Sequence, residues 1–157
     1  MRMLRMFMQT HNKGKRVGIP DEEVLARLPG IRIDRDNVGY YRGLLEGRLL
    51  LNRCDACGTW HHPPRASCPK CWSWDVAPAE VAGKGAVYLF SFINGKAAHD
   101  DPAAPYPVVC VELPEGVRFT TTMVNCAKAD LTIGMPVELV WIEQDGMPLP
   151  AVQPAQA

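Results

Sequence analysis

The sequence contains no stretch near the ~18 consecutive apolar residues that a membrane helix requires, and none of it reads as a membrane span. It has no nucleophile motif, no phosphate-cradling glycine loop and no pair of carboxylates at diagnostic spacing. Those absences point away from an enzyme acting alone, although acid–base sites need no contiguous motif. It also lacks a net charge, with 17 Lys and Arg against 17 Asp and Glu. The balance is uneven along the chain: residues 1–83 carry 13 basic against 9 acidic side chains, and residues 84–157 carry 4 against 8. The acidic second half is a poor phosphate-backbone binder, because neutralising phosphates takes clustered Lys and Arg. The first eighteen residues lack a proper apolar core and a small-residue cleavage site, so no secretory signal is expected and the chain reads as cytoplasmic. Met1, Met3, Met6 and Met8 offer alternative starts. No internal repeat is visible.

What the sequence does have is cysteine in a pattern. Four of its 6 cysteines form two Cys-x-x-Cys pairs, Cys54/Cys57 and Cys68/Cys71, with ten residues between them. Each pair can turn two thiolates onto one tetrahedral ion at ~2.3 Å. Gly58 follows the first pair, where a tight knuckle needs a permissive backbone, and Pro69 stiffens the second. A redox role is set aside because two such pairs in tandem are rarely redox pairs, and disulfides are disfavoured in a cytoplasmic protein. Four thiolates leave no open position for catalysis, so the expectation is one structural Zn2+. His61 and His62 are weighed as alternative ligands and placed instead on an exposed hairpin between the knuckles. Trp60, Trp72 and Trp74 are expected to cover the site. Cys110 and Cys126 read as small buried apolar residues.

Around the ribbon the chain changes character. Residues 1–18 read as a flexible arm. Asp21–Leu28 reads as a short helix with acidic residues in its first turn. A second helix is expected over Val38–Glu46, with Asn37 as N-cap and Gly47 as stop. Gly39 and Gly43 weaken that helix or admit a close backbone neighbour. Arg48–Arg53 reads as a strand into the first knuckle. From Gly85 the pattern becomes strands: Gly85–Asn94, Pro107–Leu113, Val117–Val124 and Val137–Glu143, with turns at Pro114-Glu115-Gly116 and Asp145-Gly146 and a short apolar tail. Alternation in the first of these puts Tyr88, Phe90 and Phe92 on one face and Val87, Leu89 and Ile93 on the other. Both faces are apolar, which suggests one hidden by another chain. His99-Asp100-Asp101 reads as a solvated loop. On pattern alone, a small OB-type barrel and a four-stranded sandwich both fit.

The run Gly47-Arg48-Leu49…Arg53-Cys54-x-x-Cys57-Gly58, followed by Pro63-Pro64-Arg65…Cys68-Pro69-x-Cys71, resembles the DUF35 family. The resemblance continues through Gly83-x-Gly85-x-Val87-Tyr88, Pro105-Tyr106, Val111-Glu112-Leu113-x-Glu115-Gly116 and Ile133-Gly134-Met135-x-Val137, covering about residues 35–150. It implies a mainly β chain with short N-terminal helices, then a four-cysteine, rubredoxin-like zinc ribbon, then a five-stranded OB-fold barrel. The domains then fall at 1–18 (arm), 19–47 (helical segment), 48–78 (ribbon) and 79–157 (barrel). The resemblance also implies a non-catalytic subunit of a thiolase-like enzyme in a hetero-oligomer, meeting an acyl-CoA substrate through that partner, with a CoA thioester held by the complex. The settings it implies are retro-aldol cleavage of a steroid side chain, acyl transfer to phloroglucinol rings, and a bridge between thiolase and hydroxymethylglutaryl-CoA synthase.

No catalytic residue is assigned to the chain itself. His61, His62, Pro63, Pro64, Arg65, Tyr88, Phe90 and Phe92 are candidates for docking or for lining a substrate channel. Two other readings are carried. An OB barrel could stack single-stranded nucleic acid on Tyr88, Phe90 and Phe92, against which the acidic charge of that half counts. Alternatively, Arg48, Arg53, Arg65 and Lys70 could meet CoA phosphates directly.

Overall fold

A computed structural model of the chain describes residues 18–93 and 105–156. The arm up to residue 17, and the loop that holds His99-Asp100-Asp101, lie outside the described residues. The elements run α1 (Asp21–Arg27), α2 (Val38–Leu45), β1 (Leu50–Cys54), β2 (Trp60–His61), β3 (Val76–Glu80), β4 (Lys84–Ile93), β5 (Tyr106–Glu112), β6 (Arg118–Met123), β7 (Pro136–Gln144) and β8 (Met147–Pro154).

The helices are short and held by each other. Val24 is fully buried on α1, and the acidic first turn (Asp21, Glu22, Glu23) complements the helix dipole. Arg42 of α2 pairs with Asp21 and donates from Nε to the Ile19 carbonyl at 2.9 Å. Asn37 holds the expected N-cap position, but its backbone is already helical and its side chain makes no cap bond to the helix, its Oδ1 accepting from the Asp34 N–H at 2.9 Å. Asp34 takes over instead, accepting from the backbone N–H of Asp36 at 2.9 Å and of Asn37 at 3.2 Å. Gly47 does stop the helix, at φ +66°. Gly43 admits the close neighbour: a Cβ there would lie 2.6 Å from the Arg48 carbonyl oxygen.

The ribbon is a three-stranded antiparallel sheet in the order β2-β1-β3. The expected hairpin between the knuckles is displaced, because the first knuckle is itself the turn joining β1 to β2. The barrel closes in the order β4-β5-β6-β8-β7, with β6 and β8 parallel at Thr122↔Ala151 and Met123↔Val152. That closure selects the OB-type barrel over the sandwich.

One core serves both sheets. Leu49 and Leu51 of the ribbon pack in the same buried cluster as Val87, Val109, Val111, Phe119, Val137 and Val152 of the barrel. The ribbon is thus joined to the barrel by apolar side chains of one shared buried cluster.

Two expectations about faces and burial change here. A β-bulge between Val87 and Leu89 puts an extra residue, Tyr88, into β4. Inward and outward positions therefore exchange midway along the strand. Val87 is buried, Phe90 and Phe92 pack against the core, and Tyr88, Leu89 and Ile93 face outward. Tyr88 does not share a face with Phe90 and Phe92, and Val87 does not share one with Leu89 and Ile93. Cys110 and Cys126 are half-buried rather than buried.

Candidate metal centre and interaction surfaces

The two knuckles are built alike. The Gly58 N–H donates to the Cys54 carbonyl at 2.8 Å, and the Trp72 N–H donates to the Cys68 carbonyl at 2.9 Å. Cys54 N–H donates to Thr59 O and Cys68 N–H to Ser73 O, each at 2.9 Å. The knuckles are joined by Asp55 N–H donating to the Asp75 carbonyl at 2.8 Å. This symmetric frame brings the four sulfurs of Cys54, Cys57, Cys68 and Cys71 within 4.8 Å of one another.

The sulfur spacing suits a metal. Cys54 and Cys71 Sγ are 3.6 Å apart, as are Cys57 and Cys68 Sγ. A tetrahedron with ~2.3 Å metal–sulfur bonds has edges of ~3.8 Å, whereas a disulfide would need ~2.05 Å. Cys54 and Cys68 are buried and Cys57 and Cys71 exposed, so the site is half-sunk. Hydrogen bonding to Thr59 pulls the Cys57 thiol down, while hydrogen bonding to Cys57 pushes Cys71 up, as befits neighbouring sulfurs that share protons until a cation holds them all as thiolates. The four cysteines form a zinc-ribbon site, and bound zinc would crosslink the two knuckles.

The histidines are not on an exposed hairpin. His61 is 7% exposed, and His62 is half-buried. The reason is aromatic packing across elements. The His62 ring lies 5.4 Å from Tyr40 of α2 and 5.5 Å from Phe119 of β6, centroid to centroid. Burial lowers the pKa of both histidines and pushes Tyr40 up to about 12. Pro63 and Arg65 are exposed and Pro64 half-buried. The Arg65 carbonyl is held by buried Asn52, whose Nδ2 donates to it at 3.3 Å. Sequence reasoning missed Asn52, Tyr40 and Phe119, because only the fold brings them to residues 61–65.

The tryptophans do not cover the metal site. Trp60 packs partly buried against the core, with the Arg53 guanidinium 5.9 Å from its ring. Trp72 and Trp74 are 76% and 71% exposed. Trp72 also holds φ +62°, which costs a non-glycine residue ~1 kcal/mol.

Two further surfaces lie on the barrel. Tyr88 stands outward beneath the Arg118 guanidinium, 3.4 Å from its ring centroid, and Arg118 in turn pairs with Glu112 at 3.2 Å. A cleft of about 360 Å³ opens between Tyr40 and the strands β6, β7 and β8, lined among others by Tyr106, Thr120, Thr122 and Gln144. Of the cations read as possible phosphate contacts, Arg48 is tied to Glu80 at 2.8 Å. Among the described residues no helix is long and apolar enough to cross a membrane.

Comparison with known proteins agrees with this architecture. Residues 42–76 match the family described as ChsH2, rubredoxin-like zinc ribbon domain. Residues 79–142 match ChsH2, C-terminal OB-fold domain. A protein of Thermomonospora curvata described as a probable enoyl-CoA hydratase alpha subunit is 40% identical over 136 residues, 86% of this chain. The chain spans only 42% of that relative's length. A solved structure described as Ltp2-ChsH2(DUF35) aldolase is 39% identical with a TM-score of 0.70, covering 79% of this chain and 98% of that one. A DUF35 domain-containing scaffold protein of Methanocaldococcus jannaschii is 37% identical over 72% of this chain and 83% of its own length. The chain belongs to the DUF35 family.

Proposed function

We propose that this chain is a non-catalytic subunit that binds and completes a thiolase-like acyl-CoA enzyme. The reaction class is cleavage of a carbon–carbon bond in a CoA thioester, a retro-aldol step, with acyl transfer as the related alternative. The observation that carries this reading is the likeness to the Ltp2-ChsH2(DUF35) aldolase, whose matched chain is covered over 98% of its length. The relative described as an enoyl-CoA hydratase alpha subunit supports the acyl-CoA class.

On this reading the chain divides into a helical segment (19–47), a ribbon (48–78) and a barrel (79–157). Zinc folds the ribbon and takes no part in the chemistry. The exposed turn Pro63–Arg65 and the outward strip Tyr88, Leu89 and Ile93 are docking surfaces, with Phe90 and Phe92 backing that strip from the core side. The exposed apolar strip on β4 is the kind of surface a partner covers. His61 and His62 position the turn, and the acyl-CoA substrate meets the complex through the partner, in the cytoplasm.

The test is to purify the tagged chain from its native cells, identify what elutes by mass spectrometry and assay zinc. A thiolase-like protein in fixed stoichiometry, with about one zinc per chain, is the expected result. A zinc-loaded chain eluting alone would contradict the proposal.

A further inference from the structure

The two zinc knuckles supply an internal comparison. They share the same hydrogen-bond frame, so Gly58, Thr59 and Trp60 of the first correspond to Trp72, Ser73 and Trp74 of the second. At the first of these positions both residues are left-handed, Gly58 at φ +73° and Trp72 at φ +62°. Glycine adopts that conformation freely, whereas tryptophan is strained in it. At the third position, Trp60 packs against the core while Trp74 is 71% exposed. The second knuckle thus places a strained tryptophan where its twin has glycine, and an exposed one where its twin has a partly buried one. Among the described residues Trp72 and Trp74 are the most exposed large apolar side chains. Folding of the described residues does not account for either: glycine would suit the Trp72 backbone better, and neither ring is buried by the described residues.

We propose that Trp72 and Trp74 are the anchor of the ribbon in the partner subunit, inserting into an apolar pocket of the thiolase-like protein. This rests on the subunit reading above and adds the residues that carry the contact. Tryptophan is enriched at the centres of protein interfaces because a rigid, amphipathic ring excludes much water for little lost freedom. The zinc site would hold the anchor rigid, since Trp72 directly follows the ligand Cys71. The surrounding charge favours a protein over nucleic acid. Lys70 is the nearest cation in sequence, while Asp55 and Asp75 sit at the junction of the knuckles. Stacking bases without sequence preference takes a basic groove.

The test uses the full zinc-loaded chain and the purified thiolase-like protein that co-elutes with it. Kd is measured by biolayer interferometry for wild type, Trp72→Gly and Trp74→Ser. Each variant is expected to bind at least about 30-fold more weakly. Both are expected to keep their zinc, and Trp72→Gly to melt at the wild-type temperature or above it. If both variants bind as wild type does, the anchor is overturned and the subunit reading stands. If Trp72→Gly loses zinc or melts lower, the tryptophan is structural and the anchor is overturned. If the wild-type chain holds no thiolase-like protein, both readings fall. If oligo-dT quenches the tryptophan fluorescence of wild type but not of Trp72→Gly, the pair stacks bases and the anchor is overturned.

Discussion

Gly85 lies where β4 presses on β5: a Cβ there would come within 2.5 Å of the Glu112 carbonyl oxygen and 2.7 Å of Val111 Cγ1. The first neighbour is backbone and cannot yield cheaply. Gly85→Ala is expected to lower stability by about 1–3 kcal/mol, measured by urea unfolding with zinc retained. His62 sets an acid limb. Burial, with the charge of His61 adding to it, lowers its folded pKa below the ordinary 6.5. The unfolded chain then binds a proton that the folded chain resists. The stability this gives is full above about 6.5 and declines as pH falls toward the folded value. His62→Phe keeps a ring between Tyr40 and Phe119 and removes the proton site. Its stability is expected to change less than wild type between about pH 7 and pH 5.5, with zinc content followed in parallel. At this scale the four zinc ligands were legible because their spacing alone brings thiolates together. The partners of His62 were not, since Tyr40 and Phe119 come from sites distant in sequence. Nor was the face of Tyr88, because alternation along β4 cannot reveal an inserted residue.

Between elements, Leu51 ties the ribbon to the barrel. It sits on β1 yet is wholly buried in the cluster that fills the barrel. Leu51→Ala is expected to cost about 2–5 kcal/mol, lowering the thermal midpoint of ribbon and barrel together. A ribbon that melted separately would contradict the shared core. Zinc acts at the other end of the same strand, through Cys54. Such a site contributes ~10–16 kcal/mol of apparent free energy. Chelation, or Cys54→Ser, is therefore expected to release the metal and lower the midpoint by at least about 10 °C. Two strands escaped sequence reading for one reason, proline. Pro78 interrupts β3, and Pro148, Pro150 and Pro154 punctuate β8. Proline cannot donate to a ladder and argues against a strand. β3 accommodates it at the sheet edge. In β8 the residues between the prolines still pair, as where the Val152 carbonyl accepts from the Val124 N–H at 2.8 Å, and the Thr121 hydroxyl adds a side-chain bond to the Pro150 carbonyl. The tail after Asp145-Gly146 is thereby the strand that closes the barrel.

For the whole molecule, one shared core fixes a zinc ribbon rigidly on an OB-type barrel and leaves apolar side chains outward on both. Trp72 and Trp74 mark the ribbon, and Tyr88, Leu89 and Ile93 mark β4. The ribbon was legible from its cysteine pairs, whereas the strand pattern fitted barrel and sandwich alike and only the resemblance to the DUF35 family implied the barrel. The outward faces were not legible, since they depend on a bulge and on a left-handed tryptophan. On the proposed reading the chain acts through the enzyme it completes. The most direct measurement is cleavage of a CoA thioester aldol substrate by the purified thiolase-like protein, assayed alone and with increasing amounts of this chain. Activity is expected to rise and saturate at a fixed molar ratio, and the Cys54→Ser chain to fail to restore it. Full activity of the thiolase-like protein without the chain would contradict that expectation.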